Sequence, residues 1–464
     1  MNRLGPKVRL QSNVLHYIPQ EGMAELPPLV LHPLLALVLA RFDRGETNEQ
    51  VAAWLAGELV TPVESMNEIV NDARLCFRAH FKNDNGRSYV DADTAALLTR
   101  LPRGASFRAR DVVFPRDRAL FPLTLQWLVT RYCNRRCVYC YAAPKPGVKA
   151  KDAELTHERM RQVIREAARL GAHTFFLTGG EPLLRDDAYD LIAEALAAGM
   201  TPEVITKQFI PDAAVDRLAD AGMPRIYLSI DALEPALARR MTGVVHFARE
   251  IGRTIERLVE RKIPVYAKCV LTSENIEHVA ETVASLEALG VKWVGLVVYS
   301  RTHDEGSNDR LMPAHEQLLR LRDWCAAFAA EGHAIKVAFS YDPDAIPPAG
   351  LGPDRFVCHN GTTSLLVLPD GRVSRCDKRL PGTELVVGDL KTQSVYEAWN
   401  SAEMLASMKP PREWYAGTLC FDCDLFDVCH ERGRCWYDAS LTSGTLYGPQ
   451  RNCPYIANSG TVGC

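Results

Sequence analysis

The sequence predicts an α/β fold built on a parallel sheet, and two observations carry that reading. From residue 118 to about 305, apolar runs of strand length alternate with helical stretches, and the residues suited to chemistry fall just past the ends of those runs. The runs cover residues 123–129, 175–178, 203–206, 225–230, 265–271 and 293–299. They are short, rich in β-branched and aromatic residues, and separated by enough chain for a helix each. Between the first two, Met160, Val163, Ile164, Ala167 and Leu170 recur at helical spacing, and Gly171 stops the stripe. Six such βα units imply parallel strands joined by right-handed crossovers.

Composition sets the wider bounds. A chain of 464 residues with 47% hydrophobic and 24% charged residues is an ordinary globular protein of roughly three domains. A net charge of −3 with no long basic run gives no electrostatic case for a nucleic-acid partner. No stretch reaches the roughly 20 apolar residues of a membrane span, so no membrane partner is expected. The first six residues lack an apolar signal core, which makes a cytoplasmic location the expectation. Fourteen cysteines in such a chain point to metal or redox chemistry rather than disulfides. Ten of them fall into two dense groups. Cys76, Cys269 and Cys325 stand alone as small buried hydrophobes, and Cys464 is isolated at the end of the sequence.

Residues 1–95 read as a separate module. Two short strands at 8–10 and 14–18 precede a Pro27-Pro28 break and three helical patterns. Leu35, Val38, Leu39 and Phe42 form the first, closed by Gly45. Thr47 with Gln50 has the form of a capping box before Val51, Ala52, Trp54 and Leu55. Thr61-Pro62-Val63-Glu64 repeats the device, with proline at the first helical position. Short strands plus three helices make a winged-helix-like unit, or a helical cap.

The first cysteine group is Cys133, Cys137 and Cys140, in the spacing C-x3-C-x2-C. Three thiolates on one tight loop can hold three irons of a [4Fe–4S] cube and leave the fourth open to a chelating ligand. About forty residues on, a strand ends in Gly179-Gly180-Glu181-Pro182. Paired glycines let a backbone come close to a neighbour, and a carboxylate suits an ammonium. Together these motifs, with aromatic Tyr139 before the third cysteine, resemble the radical S-adenosylmethionine (SAM) enzymes. The resemblance implies a partial (β/α)6 barrel whose chemistry sits at the C-terminal strand ends, as in other such barrels. It further implies that the Gly179–Pro182 segment binds the SAM amino group, and that Ser229 and Asp231 hydrogen-bond its ribose. Lys268 and Thr272 would approach the methionine carboxylate. Where the family often has Thr-Asn-Gly, this chain has Thr206-Lys207-Gln208, which makes Lys207 a candidate pocket residue.

After a helix and proline-rich bridge at 311–355 comes the second cysteine group, in residues 356–464. It holds Cys358 and Cys376, then Cys420, Cys423, Cys429 and Cys435, then Cys453. The residues alone allow zinc, since C-x2-C pairs are common in zinc frames. The pattern resembles the SPASM extension, which carries two auxiliary [4Fe–4S] clusters. Its usual gap of three before the last cysteine of the central run is five here, from His430 to Arg434. By that resemblance Cys420, Cys423, Cys429 and Cys453 would hold the outer cluster, and Cys358, Cys376 and Cys435 the inner one. Asp377 sits where related formylglycine-forming maturases carry a catalytic base.

The resemblance implies a full mechanism. SAM chelates the first cluster, one electron cleaves it to methionine and a 5′-deoxyadenosyl radical, and the radical takes a hydrogen from the substrate. The region around 35–55 is similar to peptide-recognition domains fused to enzymes that modify ribosomally made peptides. The expected partners are therefore a precursor peptide and an electron donor such as flavodoxin or ferredoxin. The expected product carries a crosslink, a thioether or a related change. The alternatives are a formylglycine-type or tetrapyrrole-modifying relative, and, from another class, a non-catalytic iron–sulfur scaffold or electron carrier.

Overall fold

In the computed structural model, the described residues are 8–11, 14–17, 29–30, most of 38–71, 119, 121–140, 154–302, 310–339, 341, 358–378 and most of 385–457. The chain divides into two compact units, one of residues 1–123 with 169–172 and 361–364, the other of the remainder.

In the first unit, β1 (Val8–Gln11), β2 (Val14–Tyr17) and β3 (Leu29–Val30) form an antiparallel sheet in that order. Helix α1 (Asn48–Leu59) starts at the expected capping box: Thr47 N donates to Gln50 Oε1 at 2.8 Å and Gln50 N to Thr47 Oγ1 at 3.3 Å. Val51, Ala52 and Leu55 are buried, as are Val38, Leu39 and Phe42 of the preceding helical stretch. Trp54 is covered by the Arg41 guanidinium, 3.7 Å from its ring centre. Leu35 and the Thr61-Pro62 start of the third helical pattern lie outside the described residues.

The second unit holds the barrel. Strands β4 (Thr124–Leu128), β5 (Thr174–Thr178), β6 (Thr201–Thr206), β7 (Ile226–Ser229), β8 (Val265–Leu271) and β9 (Trp293–Val298) lie side by side in chain order, each parallel to the next. Helices join them, the first being α2 (His157–Arg169), which buries Met160, Val163, Ile164 and Ala167. The segment expected only to bridge the domains contributes one more parallel strand, β10 (Lys336–Phe339), beyond β9. Its alternation is short and half exposed, which is why it does not stand out in the sequence.

On the β4 edge the same sheet continues through β11 (Ser364–Val367), β12 (Arg372–Ser374) and β13 (Val386–Asp389). The C-terminal extension is thus hydrogen-bonded into the barrel sheet. Arg159 of α2 fastens it further, donating to the carbonyls of Leu390 at 2.6 Å and Gln393 at 2.8 Å. Beyond the sheet, Tyr415, Phe426, Trp436, Tyr437 and Leu446 make a small aromatic core, with Cys376, Cys420 and Cys423 packed against it.

Burial alternates along the barrel strands. Leu125, Trp127, Phe175, Leu177, Val204, Leu228, Val265 and Ala267 are wholly buried under the helices. Their neighbours Gln126, Phe176, Glu203, Tyr227, Ser229 and Lys268 are only partly covered and share the other face. A polar and aromatic inner face is unusual for a strand set that serves only as core.

Candidate active site

The loop bearing Cys133, Cys137 and Cys140 follows β4 and is gripped from two sides. On one side, Gly180 N donates to Thr130 O at 2.7 Å and Glu181 N to Tyr132 O at 2.9 Å. On the other, Arg136 N donates to Thr242 O at 2.9 Å and Val138 N to Met241 O at 3.1 Å. The double glycine is required by this grip. A Cβ on Gly180 would stand 2.1 Å from Tyr132 O, and one on Gly179, at φ +128°, 2.7 Å from Thr130 O. The close approach expected toward a ligand is therefore, in the first instance, an approach to the cysteine loop.

Glu181 is 2% exposed and bridges strand ends. Its carboxylate accepts from Thr206 Oγ1 at 2.6 Å, Lys207 N at 3.0 Å and Leu183 N at 3.2 Å. Burial raises its pKa above the usual carboxylate range, against the pull of those three donors. Pro182 begins the single turn Pro182–Leu184 that Glu181 caps.

A second hub gathers three more of the expected residues. Asp231, with no exposed side chain, accepts from Tyr139 Oη at 2.6 Å, Lys207 Nζ at 2.6 Å and Val270 N at 3.0 Å. Lys207 also donates to Ser229 O at 2.9 Å, and its ammonium lies 5.5 Å from the Tyr139 ring centre. Burial opposes the charge on Lys207, but the Asp231 carboxylate beside it outweighs burial and raises its pKa. Burial, reinforced by Asp231, likewise lifts the Tyr139 phenol well above its ordinary value. Lys207 is thus a structural cation that holds the third-strand and fourth-strand ends to the cysteine loop.

Thr272 and Lys268 differ in their surroundings. Thr272 is fully buried and its hydroxyl is spent on Asn275 Oδ1 at 2.9 Å, inside a local turn. Lys268 sits on the inner face, paired in register with Ser229, its ammonium 5.2 Å from the Tyr227 ring and 5.7 Å from Phe176. Burial lowers its pKa, with only Glu203 acting the other way. Asp377 takes a hydrogen bond from the Gln126 side chain on β4, so it reaches the inner face, and burial raises its pKa.

The remaining cysteines sort into two sets. Cys358, Cys376 and Cys435 act electrostatically on one another. Cys420, Cys423, Cys429 and Cys453 do the same and line one open hollow. Among the described residues, no three His, Cys, Asp or Glu side chains converge closely enough to hold a metal ion.

Whether these sets suit iron–sulfur clusters can be tested on the groups around them. Burial pushes the Cys133 thiol up to about 11 and the Cys137 thiol to about 12. A bound metal cation would keep such thiols ionised. Each set also has one buried arginine with orphaned guanidinium nitrogens: Arg135 Nε, Arg375 Nε and Nη1, and Arg434 Nε. A buried, unpartnered N–H is costly, and the sulfur of a cluster held by the neighbouring cysteines would give it an acceptor. The donor sets fit. The three arginines escape notice in sequence; an arginine within two residues of a cysteine, in Cys133-Asn134-Arg135, Arg375-Cys376 and Arg434-Cys435, is the signal that could have found them.

Residues 127–286 match the radical SAM superfamily, and residues 358–424 match SPASM, an iron–sulfur cluster-binding domain. The chain thus carries a radical SAM domain followed by a SPASM domain. Radical SAM domains bind SAM and a [4Fe–4S] cluster, and SPASM domains bind auxiliary clusters. Among relatives of this radical SAM protein, the AdoMet-dependent heme synthase of Methanosarcina barkeri is 25% identical over 66% of this chain and 90% of its own length. The mycofactocin maturase MftC of Mycolicibacterium smegmatis is 26% identical over 72% of this chain and 82% of its own. The PqqA peptide cyclase of Xanthomonas axonopodis pv. citri is 26% identical over 70% and 85%. In fold, SAM-bound SuiB of Streptococcus suis matches 97% of this chain and 99% of its own, at 15% identity and a TM-score of 0.62. Among the described residues, no helix is long and apolar enough to cross a membrane.

Proposed function

We propose that this radical SAM–SPASM protein is a maturase that oxidatively modifies a ribosomally made precursor peptide. With its cofactors bound, the site supplies a 5′-deoxyadenosyl radical able to take hydrogen from an unactivated carbon. Cys133, Cys137 and Cys140 would hold the SAM-binding cluster. Cys420, Cys423, Cys429 and Cys453 would hold the outer auxiliary cluster, and Cys358, Cys376 and Cys435 the inner one. Gly179, Gly180 and Glu181 keep the cysteine loop in place while their backbone faces the SAM amino group. Ser229 and Asp231 would hydrogen-bond the ribose, with Tyr139 and Lys207 fixing the Asp231 carboxylate. Asp377, which takes a hydrogen bond from Gln126, would take a proton from the peptide, and Lys268 would approach the methionine carboxylate of SAM. Residues 1–95 would receive the peptide's leader.

The observation that supports a peptide substrate most is the extent of the likeness to SuiB. It runs through nearly the whole chain, first unit included, and SuiB has been solved bound to the precursor peptide SuiA. A tetrapyrrole or formylglycine enzyme would not need residues 1–95. We further propose that a flavodoxin or ferredoxin supplies the electron and that the protein works in the cytoplasm. The test is to supply reconstituted enzyme, SAM and reductant with a leader-bearing peptide encoded beside this gene, then with its core alone. Mass change in the full peptide, with 5′-deoxyadenosine but little product from the core, supports the reading. Equal turnover of both, or equal turnover after removal of residues 1–95, refutes leader recognition.

A further inference from the structure

Arg375 follows β12 and directly precedes Cys376, and its side chain enters the protein: the residue is 7% exposed. Its Nε and Nη1 are buried and have no hydrogen-bond partner. Among the described residues no carboxylate pairs with it, and the charges that act on it are those of Cys358 and Cys376. Arg135 differs, since it spends Nη2 on Lys207 O and Gln208 Oε1. Arg434 differs too, spending Nη2 on Leu446 O and Gly448 O. Those two brace loops. Among the described residues, the Arg375 side chain braces nothing, and its Nε and Nη1 donors are left over.

An arginine is charged at any working pH, and a buried cation needs an anion. We propose that Arg375 donates its Nε–H and Nη1–H to sulfur of the iron–sulfur centre at the Cys358, Cys376 and Cys435 set, and that its fixed charge makes this centre easier to reduce. This rests on the cluster assignment made above. The reasoning is electrostatic. Taking up one electron makes the centre one unit more negative, and a guanidinium already in place stabilises the more negative form more strongly. Hydrogen bonds to sulfur and buried charge are established controls of cluster potential. An easily reduced inner centre is suited to take the electron that an oxidative modification must remove from the peptide.

The test uses full-length holoenzyme as parent, Arg375→Met and Arg375→Lys, with iron content and redox titration followed by electron paramagnetic resonance. Methionine fills the space without leaving a buried donor. At the potential that half-reduces the inner centre of the parent, Arg375→Met should show a reduced-to-oxidised ratio about tenfold lower, a shift of about 59 mV for one electron. Arg375→Lys, which keeps the charge, should recover part of that shift. An unchanged midpoint in Arg375→Met with full iron overturns the proposal. If that variant loses iron, parent enzyme labelled with 15N-arginine decides. Pulsed resonance on the reduced inner centre should detect a guanidinium nitrogen, and its absence overturns the proposal. A parent lacking iron at this set would instead overturn the cluster assignment, and the role of Arg375 with it.

Discussion

Replacing Gly180 by alanine tests the central geometric claim, that the Gly-Gly segment and the cysteine loop are built as one piece. The added Cβ would lie 2.1 Å from Tyr132 O and 2.7 Å from Tyr132 C, both backbone atoms that no side-chain rotation can relieve. Restoring ordinary contact requires about 1.3 Å of separation between the two segments. That movement stretches the 2.7 Å and 2.9 Å hydrogen bonds from Gly180 and Glu181 beyond useful length. Overpacking of this kind costs about 1–3 kcal/mol, and each lost hydrogen bond adds about 1 kcal/mol. Cys133 follows Tyr132 directly, and metal–sulfur bonds tolerate only about 0.2 Å. The expected outcome is selective: Gly180→Ala should lose the SAM-binding cluster, about a third of the iron, while both auxiliary clusters remain. Gly57→Ala, on a helix with nothing within 4 Å of the new Cβ, is the control; it should stabilise by roughly 0.5–1 kcal/mol. Iron analysis with resonance spectra of each variant is the assay. Full iron and normal SAM cleavage in Gly180→Ala would refute the reasoning.

Three further outcomes are expected. Lys207→Met leaves the Asp231 carboxylate buried without its ion-pair partner and should cost about 3–5 kcal/mol; adding Asp231→Asn should recover part of it in a denaturation double-mutant cycle, and strict additivity would disprove the coupling. Glu181→Gln turns an amide N–H₂ toward donors from Thr206, Lys207 or Leu183, so it should lose about 1.5–3 kcal/mol of stability and weaken SAM binding in the cluster spectrum, whereas unchanged values in both would remove Glu181 from the site. Reconstituted parent should hold about 12 irons per chain, falling to about 8 when Cys133, Cys137 and Cys140 are replaced together; stoichiometric zinc in the C-terminal domain would sink the auxiliary-cluster assignment.

Much of the barrel is legible because local periodicity and tertiary role agree. The six expected parallel strands lie within a few residues of their observed bounds, and Met160 to Ala167 bury as the stripe implies. What cannot be read is how polar side chains are shared. Lys207 reads as a candidate pocket residue, but nothing in Thr206-Lys207-Gln208 shows that Asp231, just past the end of the next strand, meets it at 2.6 Å. Glu181 reads as a ligand because its three donors come from its own turn and from the end of β6. Strand β10 is missed for the opposite reason: Lys336 and Ala338 face solvent, so its apolar signal is too thin.

The five-residue gap between Cys429 and Cys435 shows how a departure from pattern gains a physical meaning. Two of the residues in it turn inward to the hollow shared by Cys420, Cys423, Cys429 and Cys453. His430 follows Cys429 within the short helix Phe426–Glu431, its Nδ1 2.8 Å from Phe426 O and its Nε2 2.8 Å from Tyr415 Oη. A carbonyl can only accept, so Nδ1 carries the proton and Nε2 accepts from the tyrosine. Burial, which drives the His430 pKa down to about 4, keeps the ring neutral. Arg434, 5% exposed, passes beneath the Tyr415 ring at 5.1 Å and brings Nη1 to 3.9 Å from Cys420 Sγ. The longer gap is therefore not slack: it carries two of the groups that line the cysteine hollow.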